Sequence, residues 1–265
     1  LRGPDIAYCV NHSEATVLVV EDSLYDLVAE VIDQMPSVKT LLWSSQGAGQ
    51  TAPQGFVDFD QWRQGHPTSQ PDVILRIEDP VQLTYTSGTE SKPKGVIISN
   101  QALIAQYLGA IIDGGYDSND ININALPIYH CAARDVFMNP IFWIGGTNIL
   151  MGPDIGQILK NIAEYKATMF FAPPTVWIAI LRHPQFKDYD LSSLKKCYYG
   201  ESIMHVEILK EIMEQLPGTR IYNYYGQTEL APYHTILKAK DATAKLGSAG
   251  MGGLNMETRL EDDGG

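Results

Sequence analysis

Cysteine is scarce in this chain: three residues in 265, Cys9, Cys131 and Cys197, odd in number and far apart. That excludes a disulfide-stapled scaffold and offers no metal-ligand spacing, so a reducing compartment, the cytoplasm, is the expected location. Positive charge is also in deficit, with 19 Lys and Arg against 31 Asp and Glu, a net charge of −12 spread along the chain. A nucleic-acid-binding protein would want a basic stripe, and none is present. An acidic surface can still hold a phosphate ligand where backbone amides and a metal ion supply a local positive field. No apolar run reaches membrane-spanning length, and there is no internal repeat or low-complexity tract. The chain opens on Leu1 without signal-peptide character and closes on the turn-like Glu261-Asp262-Asp263-Gly264-Gly265, so a fragment of a longer product is expected.

What is present is a globular composition, 45% hydrophobic, long enough for one large or two medium domains. Helix and strand signals alternate. The opening third predicts a helix over residues 4–11, a strand over 16–20, a helix over 24–34 and a strand over 38–43. Residues 44–72, rich in Gly, Gln, Pro and Ser, predict a long surface excursion. Further strands are expected at 81–85, 96–98, 121–126, 147–150, 168–171, 195–199 and 220–224. Helices are expected from Ser99-Asn100, Pro153-Asp154, Pro173-Pro174 and Ser202. Repeated alternation of this kind predicts an α/β fold of mostly parallel sheets with helices on both faces, whose ligands sit beyond the carboxyl ends of the strands.

The polar loop between the strands at 81–85 and 96–98 reads Thr86-Ser87-Gly88-Thr89-Glu90-Ser91-Lys92-Pro93-Lys94-Gly95. Physically it suits a phosphate cradle. Hydroxyls of Thr86, Ser87 and Thr89 can donate to phosphate oxygens, Gly88 lets backbone amides face the anion, Lys94 or Lys92 adds a cation, and Gly95 permits the turn back. It is no Walker A loop, since no Gly-Lys-Ser/Thr precedes a helix. The competing reading is a solvated hairpin. A second polar stretch, Asn223-Tyr224-Tyr225-Gly226-Gln227-Thr228-Glu229, ends the strand at 220–224 and by itself reads equally as a Tyr-rich strand with a polar turn.

Together these strings resemble the adenylate-forming superfamily, acyl-CoA synthetases in particular. Its phosphate loop reads Tyr-Thr-Ser-Gly-Thr-Thr-Gly-x-Pro-Lys-Gly in outline, and its later motif Tyr-Gly-x-Thr-Glu. Glu90 and Ser91 depart from the outline, where relatives carry a hydroxyl residue and glycine. The resemblance implies that Thr86, Ser87, Gly88, Thr89, Lys94 and Gly95 hold ATP phosphates, with Asn223 and Gly226 also at the nucleotide. Tyr225 would line the adenine pocket, Thr228 bind the α-phosphate and Glu229 hold Mg²⁺. Gly200-Glu201-Ser202 stands where relatives carry a Gly-Gly-Ala-like adenine turn; Gly200 fits, while Glu201 and Ser202 depart, and a plain strand-to-helix turn reads almost as well. The stretch from Leu126 through Ile128-Tyr129-His130-Cys131 resembles the border of the carboxylate pocket, which would set His130 by the carboxylate and the thiol path. Cys131 lacks a partner that would make it a nucleophile. Lys245-Leu246-Gly247-Ser248-Ala249-Gly250 resembles the family's Gly-Ser-x-Gly stretch, and a flexible turn is an equally adequate reading.

The implied chemistry is ATP-dependent activation of a carboxylic acid, fatty or medium-chain, to acyl-AMP, then transfer to coenzyme A. His130, Thr228, Glu229 and Lys94 would be the catalytic residues, with ATP, Mg²⁺ and coenzyme A as cofactors. The expected organisation is a first α/β subdomain over 1–115 with the phosphate loop, a second over 116–240, and a truncated β-rich third over 241–265. The small C-terminal domain of the family would be missing, and poor catalysis by the fragment alone is expected. Tyr107, Met138, Phe142 and Trp143 are candidate acid-pocket residues or simply core. Alternatives within the superfamily are an amino-acid adenylation domain, which usually carries an acidic residue where His130 stands, a fatty-acyl-AMP ligase and a luciferase-like monooxygenase. Outside it stand a non-catalytic nucleotide-binding module and a structural protein without a ligand.

Overall fold

The computed structural model describes residues 2–46, 50–86 and 92–262. The chain divides by packing into two units, Leu1–Ile97 and Ile98–Gly265.

In the first unit, helix α1 (Gly3–His12) and α2 (Tyr25–Ala29) accompany strands β1 (Val17–Glu21), β2 (Thr40–Ser44) and β3 (Val57–Asp58), which form one parallel sheet in that order. Ala7, Val10, Val20, Val28, Val31 and Met35 make its core. The helix expected over 24–34 is broken: only Tyr25–Ala29 is α-helical, with single 3₁₀ turns at Asp22–Leu24 and Ile32–Gln34. Pro36 fixes only the final stop, since the residue before a proline is driven from the α region and Met35 sits at φ −116°, ψ 66°; the break after Ala29 lies upstream of its reach. The excursion at 44–72 is likewise interrupted, by β3 and by helix α3 (Phe59–Arg63), which Asp58 caps by accepting from Gln61 N at 2.9 Å. Strands β4 (Pro80–Thr86) and β5 (Lys94–Ser99) form a two-stranded sheet.

The second unit is built on a seven-stranded sheet. Its strands in chain order are β6 (Ile121–Asn124), β7 (Thr147–Leu150), β8 (Met169–Phe171), β9 (Lys196–Gly200), β10 (Arg220–Gly226), β11 (Tyr233–Leu237) and β12 (Met251–Gly252). In space they run β12-β11-β10-β9-β8-β6-β7; the pairs from β7 to β10 are parallel, while β11 and β12 are antiparallel. Helices cover both faces, as the alternating pattern predicts. They are α4 (Asn100–Gly114), α5 (Asn139–Trp143), α6 (Ile155–Tyr165), α7 (Pro174–Leu181), α8 (Val206–Gln215) and the short α9 (Ala239–Ala242).

Strand side chains alternate between the two faces with period two. Phe170, Cys197, Tyr199 and Ile221 join Ile158, Leu159 and Ile162 of α6, Trp177 of α7 and Ile212 of α8 in one core. Met169, Phe171, Tyr198, Tyr222 and Tyr224 point the other way, into an aromatic cluster with Ala110 of α4 and Phe137. Such two-sided burial is why β8 and β9 are buried at every position. The helix starts carry ordinary signals. Ser99 Oγ accepts from Ala102 N at 3.2 Å, Asp154 Oδ1 from Gln157 N at 2.7 Å, and Pro174 opens α7. α8 begins at Val206 rather than at Ser202, the intervening residues being given to a turn.

Two irregularities shape the region beyond the strand ends. Ala132–Met138 is π-helical, a rare conformation that is frequent at functional sites. The β10–β11 ladder also slips by one residue between Tyr225 and Gly226: Tyr225 pairs with Thr235 but Gly226 with Tyr233, which leaves His234 as an extra residue. Tyr233 and Ile236 therefore both enter the aromatic cluster, although strict alternation would send them to opposite faces. Among the described residues no helix is long and apolar enough to cross a membrane.

Candidate active site

The carboxyl ends of the second unit's parallel strands open onto two adjoining clefts, each of about 200 Å³. The first is walled by His130 and Cys131, which follow β6, by Val136 and Phe137 of the π-helical segment, and by Phe171 at the end of β8. Tyr224 to Thr228 along β10 and its loop, with Pro232 and Tyr233, close the opposite side. The second cleft lies among Tyr199, Ser202, Met204, Asn223, Gly247 and Ala249. Glu201, Tyr224, Tyr225 and Gly226 belong to both. This is the crevice beyond the strand ends where open α/β sheets take ligands.

Close backbone approach makes the crevice possible. A Cβ on Gly200 would come within 2.5 Å of the Tyr224 carbonyl oxygen, and one on Gly226 would collide with the Pro232 carbonyl. The next residue, Glu201, holds a left-handed φ of +66°, which turns its carboxylate out of the sheet. There Glu201 Oε1 faces His130 Nδ1 at 3.3 Å, and the Ala132 N–H approaches the same nitrogen, also at 3.3 Å.

Thr228 and Glu229 sit on a single 3₁₀ turn, Thr228–Leu230, tied to β11 by the Gln227 N–H donating to Pro232 O at 2.8 Å. Thr228 Oγ1 lies 3.4 Å from Cys131 Sγ. Burial pushes the Cys131 thiol up, only partly countered by the Thr228 hydrogen bond, so the sulfur stays protonated and braces the threonine rather than attacking. Tyr225 is 57% exposed, its ring open to both clefts. Asn223 Nδ2 donates to Ser248 O at 3.0 Å and so pins the Gly247-Ser248-Ala249 stretch against the second cleft. Burial raises Tyr199, of the second cleft, to about 12 and Tyr233, of the first, further, keeping both phenols protonated at neutral pH.

Lys94 and Gly95 open β5 in the first unit, and Thr86 closes β4. Ser87, Gly88, Thr89, Glu90 and Ser91 lie outside the described residues. Both flanks of that stretch reach α1. Tyr85 Oη donates to Cys9 O at 3.1 Å and meets His12 Nδ1 at 2.8 Å, while the Lys92 ammonium stands 5.4 Å from the centre of the Tyr8 ring.

Of the sequence-predicted residues, then, the fold gathers His130, Glu201, Tyr225, Gly226 and Thr228 around the first cleft and Ser202 and Asn223 around the second. Gly200 shapes the crevice from below, and Glu229 stands exposed beside Thr228. Tyr107, Met138, Phe142 and Trp143 line neither cleft. Tyr107 instead packs edge-on against Trp143 and accepts from Asn139 Nδ2, and Phe142 and Trp143 are more than half exposed. Phe137, Phe171 and Tyr233 form the apolar wall in their place. A Tyr-x-Thr-Ile-Leu run, β-branched and aromatic, was the available signal for β11 and hence for Tyr233.

No group of three or more His, Cys, Asp or Glu among the described residues could hold a metal on its own. A lone exposed carboxylate such as Glu229 nevertheless fits Mg²⁺, which takes one or two carboxylates and completes its shell with water and substrate phosphates.

The family model for "AMP-binding enzyme" matches residues 1–265. A feruloyl-CoA synthase of Amycolatopsis sp is 29% identical over 72% of this chain and 38% of its own length. A long-chain-fatty-acid–CoA ligase of Bacillus subtilis is 26% identical over 86% and 45%, and an indoleacetate–CoA ligase of Aromatoleum aromaticum 25% identical over 100% and 51%. The chain thus spans about half or less of these curated relatives' lengths. Among solved structures, the anthranilate CoA ligase AuaEII in complex with anthranoyl-AMP superposes with a TM-score of 0.89 at 22% identity, covering all of this chain and 50% of that one. The N-terminal domain of FACL13 from Mycobacterium tuberculosis gives 0.83 at 21% identity over 96% and 61%. At such identities these structures speak for the fold.

Proposed function

The chain belongs to the family of AMP-binding enzymes, and from that premise we infer that it supplies the nucleotide and acid site of an AMP-forming acid–CoA ligase. The observation that carries this reading is the convergence of Glu201 and Ser202, the segment from Tyr225 to Thr228 and His130 on one pair of clefts. The second cleft suits a flat base beside Tyr225, and the first suits the α-phosphate and the acid. Thr228 Oγ1 donates to the α-phosphate, its rotamer steadied by Cys131.

The acid's carboxylate oxygen attacks the α-phosphorus as the bond to pyrophosphate breaks, and a thiol then displaces AMP from the mixed anhydride. Two anions must be held together in the first step, so alignment and hydrogen-bond donors carry most of the rate. Mg²⁺ held by Glu229 and the nucleotide phosphates would supply charge neutralisation there. Lys94, Gly95, Thr86 and the neighbouring Ser87, Gly88 and Thr89 hold the outer phosphates in this reading.

The wall of Val136, Phe137 and Phe171 favours an acid that is apolar beside its carboxyl group. A fatty or medium-chain acid meets that requirement, and so does an aromatic one. Acid-dependent ATP–pyrophosphate exchange tests the assignment, run with acids from acetate to palmitate and with aromatic acids. Exchange confined to one class names the substrate. Absence of exchange with every acid would leave a nucleotide-binding module as the better reading.

A further inference from the structure

The first cleft opens on the face of the sheet that carries the aromatic cluster, and its inner wall is made of that cluster's own rings, Phe137, Phe171, Tyr224 and Tyr233. What lies behind those rings decides how far an acid can reach. Phe137 is buried and stacked on Phe171, with ring centres 4.3 Å apart. Phe137 and Tyr224 meet edge to face at 5.7 Å, and Tyr224 and Tyr233 do the same at 5.2 Å.

Both tyrosines are fixed at their far ends. Tyr224 Oη donates to Ala110 O at 3.3 Å and accepts from Tyr116 Oη at 3.4 Å, while Tyr233 Oη donates to Asp113 Oδ2 at 3.1 Å. Ala110 and Asp113 belong to α4, so the two rings cross the whole gap between the sheet and that helix. Contact with the helix is closest at its glycines: a Cβ on Gly109 would collide with the Tyr233 hydroxyl, and one on Gly114 with the Tyr224 hydroxyl. A buried phenol turned aside would lose its hydrogen bond together with its packing, and this wall therefore does not yield to a lengthening chain.

A cavity of about 150 Å³ takes up benzene, and the first cleft holds about 200 Å³. A six-carbon ring with its carboxyl group fills such a space. We propose that the first cleft is a closed-ended acid pocket with Phe137 and Phe171 as its end wall, and that it selects a small acid, an aryl ring or a chain of about six carbons. The proposal rests on the ligase reading above and narrows it. The apolar lining alone would admit a long fatty chain, but beyond the end wall such a chain has to turn back through the mouth into water. Its further methylenes then leave no water behind and gain nothing.

The test is calorimetric binding of acyl-sulfamoyl-adenosines, stable mimics of the acyl-adenylate, in a series from acetyl to palmitoyl with benzoyl beside them. In the wild type, affinity should rise about fourfold per methylene to about hexanoyl and then level off, with benzoyl equal to the best chain. In Phe137→Leu, which recesses the wall while keeping it apolar, the break should move to longer chains; urea unfolding checks that this variant is folded. A rise that continues to palmitoyl in the wild type overturns the closed pocket and leaves the ligase reading standing. A break unmoved in folded Phe137→Leu overturns the assignment of the end wall. Failure of every member to bind, acetyl and benzoyl included, overturns the ligase reading and the pocket with it.

Discussion

Replacing Asp113 by asparagine tests how the far wall of the first cleft is anchored. Asp113, on α4, is 7% exposed and ties together three distant parts of the chain. Its Oδ1 takes the Lys238 ammonium at 2.6 Å, and its Oδ2 accepts from Tyr233 Oη at 3.1 Å and from Leu254 N at 2.7 Å. Asparagine keeps one oxygen for Tyr233 and Leu254 but turns an amide NH₂ towards the ammonium. Breaking a fully buried pair costs about 3–5 kcal/mol. Lys238 is 42% exposed and can turn to water, which leaves the loss nearer that of one charged hydrogen bond, about 2 kcal/mol. Burial pushes the Asp113 carboxyl up, but Lys238, the Leu254 amide and the Tyr233 hydroxyl outweigh it and hold the group below its ordinary value. A depressed pKa contributes stability that is present above the unfolded value of about 3.9 and lost as pH falls through the lower folded value. Urea unfolding followed by the buried Trp177 should therefore show Asp113→Asn weaker by about 2 kcal/mol at pH 7, with the gap closing below about pH 4. Combined with Lys238→Met, the double variant should fall short of additivity by about 1 kcal/mol or more. Full additivity, or a gap that persists in acid, would refute the reasoning.

Phe137→Ala should cost about 3–5 kcal/mol of stability in the same assay, because Phe137 is 1% exposed and stacked on Phe171 at 4.3 Å; Phe137→Leu should cost much less. Gly200→Ala should destabilise by about 1–3 kcal/mol and weaken nucleotide binding measured by calorimetry, since its Cβ would press to 2.5 Å from the Tyr224 carbonyl; wild-type behaviour would mean β9 and β10 can part freely. A disulfide reagent should modify one thiol ahead of the others in the native protein and three after denaturation, because Cys9 is half-buried whereas Cys131 and Cys197 are buried; burial pushes all three thiols up, so access decides the order. Rapid modification of all three in the native state would contradict that.

The sheet of the second unit was legible because its strands obey simple periods. Phe170, Cys197 and Tyr199 against Met169, Phe171 and Tyr198 read as two buried faces, and Ser99, Asp154 and Pro174 announce their helices. What escaped was set by contacts distant in sequence. The helix predicted over 24–34 has the right apolar spacing, but only Tyr25–Ala29 is α-helical, with 3₁₀ turns on either side of it. The π-helical segment has no local signature, so Phe137 could not be separated from Phe142 as the residue that reaches the cleft. The facing of Glu201 and His130 joins the ends of two strands that are far apart in the chain, and no pattern along the sequence couples them.

The extra residue at His234 shows where this chain can change length. Removing it would bring the ladder with β10 into regular register and leave Tyr233 two residues from Ile236 rather than three, so plain alternation would keep both on the aromatic face. Tyr233 would hold its place at the cleft and its hydroxyl against Asp113. Between Gly226 and Thr235 the position most open to deletion is thus the one that breaks the pattern, and the ring at the cleft does not depend on it.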